Sequence, residues 1–265
     1  ADSGSGYESG FSSLPVKPFQ WNQPKKEALA ESMRDWTVKT LQANQAKVGL
    51  VARQGAYVTR LFDRTGMTHS GFVFQHPETG EWITYSLYSD PENGQKTALL
   101  WRQNLKDFFY GQRSNRKEAL LLIPDRALQE KMLKRLYAQP FRSLLPENHR
   151  YNLVAPVESP TSFNCTKWLV LNLYAARENS EDVPALIQVM RKEYPVKTVR
   201  PGLLTRFVLK RKPDVDWQEL NPPGVVRTVT VDSLYYADLF EKQALYSGKA
   251  SLKGLHPQKF APIGN

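Results

Sequence analysis

The sequence predicts an α+β fold on three observations. Ser70–Gln75 and Trp82–Tyr88 are strand-like runs separated by His76-Pro77-Glu78-Thr79-Gly80, turn chemistry that joins them as a hairpin. The segment Cys165–Arg177 is apolar nearly all round its helical circumference, through Trp168, Leu169, Val170, Leu171, Leu173, Ala175 and Ala176, and so belongs in the middle of a core. The rest of the chain mixes helices with a few strands.

Taken in order, residues 1–24 are rich in Gly, Ser and Pro and read as a flexible tail. Residues 25–46 place Leu29, Met33, Trp36, Thr40 and Leu41 near a 3.6-residue period and read as an amphipathic helix. Lys47–Arg53 reads as a strand and Tyr57–Arg64 as a short helix. After the hairpin, Pro91-Glu92-Asn93-Gly94 is a loop. Lys96–Phe109 then reads as a helix with Leu99, Leu100, Trp101, Leu105, Phe108 and Phe109 on its inner side.

Leu120–Ile123 is a buried strand ended by Pro124, and Asp125 is a good N-cap for a helix to Ala138. Phe141–Pro160 is an irregular approach to the central helix. Residues 181–194 form another helix, Leu203–Lys210 and Val225–Val231 read as strands, and Asp232 caps a last helix to about Tyr246. The organisation expected is a single domain over 25–246, with a core at 47–177, a C-terminal elaboration at 178–246 and a tail at 247–265.

Composition narrows the function. With 41% hydrophobic and 23% charged residues, the chain has an ordinary globular balance. No apolar run approaches the roughly 20 residues of a membrane-spanning helix. The net charge of +10 favours anionic partners such as cell-wall polymers, anionic lipid surfaces or nucleic acid. The basic residues are scattered, with short clusters at Lys25-Lys26, Arg191-Lys192 and Lys210-Arg211-Lys212. No nucleic-acid motif accompanies them, so a solvated basic surface is expected rather than a nucleic-acid groove. The opening Ala1-Asp2, without Met, fits either an exported chain whose signal peptide has been removed or a shortened one.

Four histidines and one cysteine lack metal-ligand spacing. There is no Gly-x-Ser-x-Gly, phosphate loop or dinucleotide fingerprint, so no cofactor is expected. His76 reads as a solvated turn residue.

The chemistry converges on the single cysteine. In Thr161-Ser162-Phe163-Asn164-Cys165-Thr166-Lys167-Trp168, polar residues lead straight into the apolar helix, putting Cys165 at a helix start. Free backbone N–H groups and the positive end of the dipole favour a thiolate at such places. Thr68-His69-Ser70-Gly71-Phe72-Val73-Phe74 offers His69 at the mouth of a strand, as the base such a nucleophile needs. Such a base needs a third polar residue to orient it: if the turn centres on Glu78-Thr79, His69 faces Tyr88 across the hairpin, making the Tyr88 hydroxyl the candidate third catalytic residue, and Ser86 shares that face. Ser86, Ser89 and Asp90 are the further candidates should the register slip. Asn164 reads as a helix cap or as a group positioning an oxyanion.

The order His before Cys is the reverse of papain. His69-Ser70-Gly71-Phe72-Val73 followed by a hairpin resembles the His-bearing strand of circularly permuted NlpC-type papain-like proteins and of the lecithin retinol acyltransferase-like group. Asn164-Cys165-Thr166-Lys167-Trp168 resembles the Cys motif of the latter. Tyr57–Phe74, Thr97–Phe109, Leu121–Leu136 and Tyr151–Ala176 are similar to an uncharacterised exported bacterial family of that superfamily. The resemblance implies a permuted papain-like core, with an antiparallel sheet packed on a central helix that begins at the cysteine. It implies a cysteine peptidase-like hydrolase of amide bonds in the periplasm or envelope, with Cys165 as nucleophile and His69 as base. Tyr88 stands where relatives often carry His. Ser70, Ser86 and Asn164 are the expected binding residues, and peptidoglycan or another anionic envelope component is the expected partner. An acyltransferase or thioesterase on the same scaffold, and a non-catalytic envelope binding or scaffolding protein, are the alternatives.

Overall fold

A strand can be apolar on both faces only if both faces are covered, and the apolar run of residues 48–52 meets that condition. The computed structural model describes residues 23–55, 67–90, 97–111, 118–138, 141, 143–212, 214–220, 223–234 and 237–247. The chain runs α1 (Pro24–Ala43), β1 (Val48–Gln54), β2 (Met67–Gln75), β3 (Trp82–Ser89), β4 (Ala98–Asn104), α2 (Leu105–Tyr110), β5 (Glu118–Pro124) and α3 (Arg126–Leu136). It continues through β6 (Arg150–Tyr151), β7 (Ser162–Phe163), α4 (Cys165–Glu178), α5 (Val183–Glu193), β8 (Lys197–Val199) and α6 (Leu203–Lys210). It closes with β9 (Val226–Thr228), α7 (Val231–Leu234) and β10 (Phe240–Ser247).

Six strands pair antiparallel in the order β10-β5-β1-β2-β3-β4. The mixed α+β class is as expected. One face presents Leu50, Phe72, Phe74, Tyr85, Leu87 and Leu122 to α4. The other presents Val51, Val73 and Leu121 to α1 and α2. Every residue of α4 from Cys165 to Ala176 is buried. The helix ends where Asn179 turns left-handed at φ 51, a conformation Asn tolerates better than most residues.

The hairpin pairs Phe72 with Tyr85 and Gln75 with Trp82, so its turn is centred on Glu78-Thr79. Gly71 is required in this hairpin. A Cβ there would stand 2.1 Å from Ser86 Oγ and 2.7 Å from the Tyr85 carbonyl oxygen.

Four expectations are corrected. Residues 98–104 form a strand and not the first half of a helix. They pair along β3 from Ala98↔Ser89 to Asn104↔Ile83, and Asn104 then caps the short α2 by accepting from the Asp107 N–H at 2.8 Å. Leu203–Lys210 is helical, with Leu209 buried against a small separate cluster. The strand expected at Val225–Val231 is confined to Val226–Thr228. The last helix is only the single turn Val231–Leu234, and residues 240–247 pair with β5 instead. In the second and last of these stretches local periodicity fitted either state, and distant contacts decided. The C-terminal strand is therefore part of the main sheet. The helix expected at 57–64, the loop at 91–94 and most of both tails (1–22 and 248–265) lie outside the described residues, while Pro24 already belongs to α1 and Ser247 to β10.

His76 is also corrected. It is buried, and its Nδ1 accepts the Glu78 and Thr79 N–H groups at 3.2 Å each, closing the turn. Burial foremost lowers its pKa, with the Glu78 charge opposing.

Candidate functional site at the start of the central helix

Asn164 is extended (φ −109°, ψ 173°) and caps α4, its Oδ1 accepting the Lys167 N–H at 2.8 Å. Its amide nitrogen donates to Thr228 Oγ1 at 3.0 Å, Leu153 O at 3.3 Å and Val229 O at 3.4 Å. The side chain is thus committed at both ends: it caps the helix and ties its start to the C-terminal third of the chain. The donor that an oxyanion would need is already engaged.

Cys165 follows as the first helical residue, 2% exposed. Its thiol donates to the Thr68 carbonyl at 3.6 Å and lies 3.8 Å from Thr166 Oγ1. Thr166 Oγ1 is in turn 3.1 Å from Ser70 Oγ, so a line of hydroxyls joins α4 to β2. Ser70 therefore belongs to the helix–sheet contact.

Lys167 is fully buried. Its ammonium donates to Ser159 O at 2.5 Å, Pro156 O at 2.6 Å and Ser162 O at 2.7 Å. Burial pulls its pKa down to about 7, opposed by the charges of Glu219 and Glu158. The three carbonyls use all three N–H groups of the charged form. This cage holds the loop that delivers the chain to Cys165.

His69 sits at the same end of the sheet but on its other face. Arg53 pairs with His69 and Gln54 with Met67, so Thr68 is an extra residue at a break in register. Ser70 meets α4, whereas the His69 ring lies against Tyr88 (centroids 4.3 Å, 43°) and stacks on Phe108 of α2 (5.6 Å, 28°). His69 is 8% exposed. The thiol meets the backbone of the residue before His69; the imidazole is not among its hydrogen-bond partners.

Tyr88 is brought to His69, but through its ring. Its hydroxyl donates to Gln103 Oε1 at 2.6 Å, and the Arg53 guanidinium is near enough to favour its ionised form. Burial pushes the phenol upward; Arg53 and Gln103 oppose, while the charge of Cys165 adds to the rise. Ser86 is fully buried opposite Gly71, and its Oγ has no hydrogen-bond partner among the described residues. Ser89 ends β3, and the Asp90 N–H bonds to Thr97 O beyond it.

Sequence reasoning missed four neighbours. Arg53 is buried between strand and α2, donating to Gly111 O at 2.8 Å and Gln54 O at 3.2 Å, with its Cζ 5.2 Å from the Phe108 ring centroid. Gln103 holds the Tyr88 hydroxyl. Tyr151 is buried, its phenol raised well above the usual range by burial first and then by the charges of Cys165, Asp214 and Tyr88. Lys167 was legible in principle: a lysine inside an all-apolar helix must have its charge satisfied somewhere.

The fold and site define an α+β protein with a six-stranded antiparallel sheet and one buried thiol at the start of its central helix. The chain belongs to a family described as an uncharacterized protein conserved in bacteria, DUF2145, whose model matches residues 40–236. That span includes His69, Tyr88 and Cys165. No curated protein and no solved structure matches the chain. Among the described residues no helix is long and apolar enough to cross a membrane.

Proposed function

We propose that this protein is a thiol hydrolase of the bacterial envelope, built on a permuted papain-like core and cleaving amide bonds of peptidoglycan peptides. The observation that carries the reading is the position of Cys165: first residue of a buried, capped helix, its sulfur on the backbone of Thr68, one residue from His69. Cys165 gives its thiol proton to His69, and the sulfur attacks the amide carbonyl. His69 protonates the departing amine, the C–N bond breaks, and the acyl group stays on sulfur as a thioester. His69 then takes a proton from water, whose oxygen displaces the thiol and releases the acid. The N–H groups of the first turn of α4 supply donors for the oxyanion. The net charge of +10 suits an anionic wall polymer.

The imidazole lies against Tyr88 and Phe108, and the reading requires it to come within hydrogen-bond reach of the thiol. The opposite-face arrangement of the two side chains favours a second reading, a non-catalytic envelope protein that retains the fold.

Incubating the full chain with purified sacculi, followed by mass spectrometry of released peptides, separates the two. The first reading expects new amine and carboxylate termini with the native chain and none with Cys165→Ala. Equal release by both, or no release together with a native thiol inert to acyl thioesters, supports the second. Stable acylation of Cys165 without hydrolysis indicates the acyltransferase alternative.

A further inference from the structure

The stretch Pro195–Pro213 holds six Lys or Arg residues and no Asp or Glu. Within it α6 sorts its side chains to two sides. Leu209 is buried in the small cluster formed with Val154, Val215, Leu220 and Val226. Arg206 is held to the protein as well, donating to Pro201 O at 2.9 Å and Gly224 O at 3.1 Å. Gly224 has φ +76°, and a Cβ there would lie 2.8 Å from Arg206 Cζ, so only glycine leaves room for that guanidinium.

The other side faces solvent. Phe207, Lys210 and Arg211 are spaced i, i+3, i+4 and share one face. Phe207 is 52% exposed and is the exposed large hydrophobic side chain among the described residues. The Arg211 guanidinium lies 3.9 Å from its ring centroid. Lys210, Arg211 and, just before the helix, Arg200 are exposed. Lys197 is engaged by Asp232 at 2.6 Å and adds no free charge.

A dissolved polyanion needs only positive charge to bind. An aromatic ring held out among basic residues suits a boundary that takes the ring on one side and the charges on the other. We infer that the outer face of α6 docks on a bilayer containing anionic phospholipid, with Phe207 entering the acyl boundary and Arg200, Lys210 and Arg211 meeting headgroup phosphates. This surface stands independently of the thiol chemistry at Cys165.

The test is sedimentation of the full chain with vesicles of three parts phosphatidylcholine to one part phosphatidylglycerol, against pure phosphatidylcholine. Each basic residue at an anionic surface contributes about fivefold in affinity. Lys210→Glu/Arg211→Glu therefore weakens binding by about 25-fold or more. Lys25→Glu/Lys39→Glu, an equal charge change on exposed positions of α1, changes it less than about threefold. An environment-sensitive fluorophore on Phe207→Cys, in a Cys165→Ala background, brightens and shifts to the blue with the anionic vesicles but not with dextran sulfate. Equal loss from both charge reversals would overturn the inference, because binding would then be diffuse. So would a fluorophore that stays in water while the protein sediments, or one that responds equally to dextran sulfate.

Discussion

On the α4 side of the sheet end, three buried polar side chains have defined partners, although Asn172 Oδ1 and Thr68 Oγ1 have none among the described residues: Asn164 caps and tethers, Lys167 fills a cage of three carbonyls, and Ser70 meets Thr166. On the α2 side, Ser86 Oγ and Arg53 Nε are buried with no hydrogen-bond partner among the described residues. A buried polar atom without a partner costs about 1–3 kcal/mol. The first side is a fixed platform that delivers Cys165. The second, around His69, holds Ser86 Oγ and Arg53 Nε without partners among the described residues, and it is the side on which the proposed base lies.

The largest effect expected is from Lys167→Met. It leaves the Pro156, Ser159 and Ser162 carbonyls without their shared donor and lowers stability by about 3–5 kcal/mol in urea unfolding. A loss below about 1 kcal/mol would mean the platform is looser than its hydrogen bonds suggest. Gly71→Ala comes next, at about 3 kcal/mol, because its Cβ meets the Tyr85 carbonyl and forces the hairpin apart. Asn164→Ala removes cap and tether together and costs about 2 kcal/mol, with faster hydrogen exchange in the first turn of α4.

The smallest pair sharpens the contrast most. Ser70→Ala breaks a made hydrogen bond and destabilises by about 1 kcal/mol, whereas Ser86→Ala removes an unmade one and is neutral or stabilising by up to about 1 kcal/mol. Loss of stability in both would place an unrecognised partner on Ser86 and erase the difference between the faces.

How much of this was legible depends on whether the signal was local. The start of α4 was legible because Asn164 followed by an apolar run is a cap signal. The hairpin register was legible because its turn residues are short-range punctuation, and it brought Tyr88 to His69 as expected. β4 and β10 were not, because their conformation is decided by pairing with β3 and β5. The face that carries His69 was also hidden. Phe72 and Val73 are both large and apolar, so β2 does not announce which side meets α4, and the extra residue at Thr68 leaves no mark in composition. The Lys167 cage depends on carbonyls whose positions only the folded loop supplies.

The central claim is that Cys165 reacts with the help of His69. The most direct measurement is the rate at which a peptidyl electrophile labels Cys165 in the native chain, compared with His69→Ala and His69→Gln variants whose folding is verified by circular dichroism. General-base assistance contributes about 10²–10⁴-fold. The account predicts labelling of the native thiol that falls at least about 100-fold in both variants. A rate unchanged by either substitution would contradict it, and would leave His69 as a packing residue between Tyr88 and Phe108.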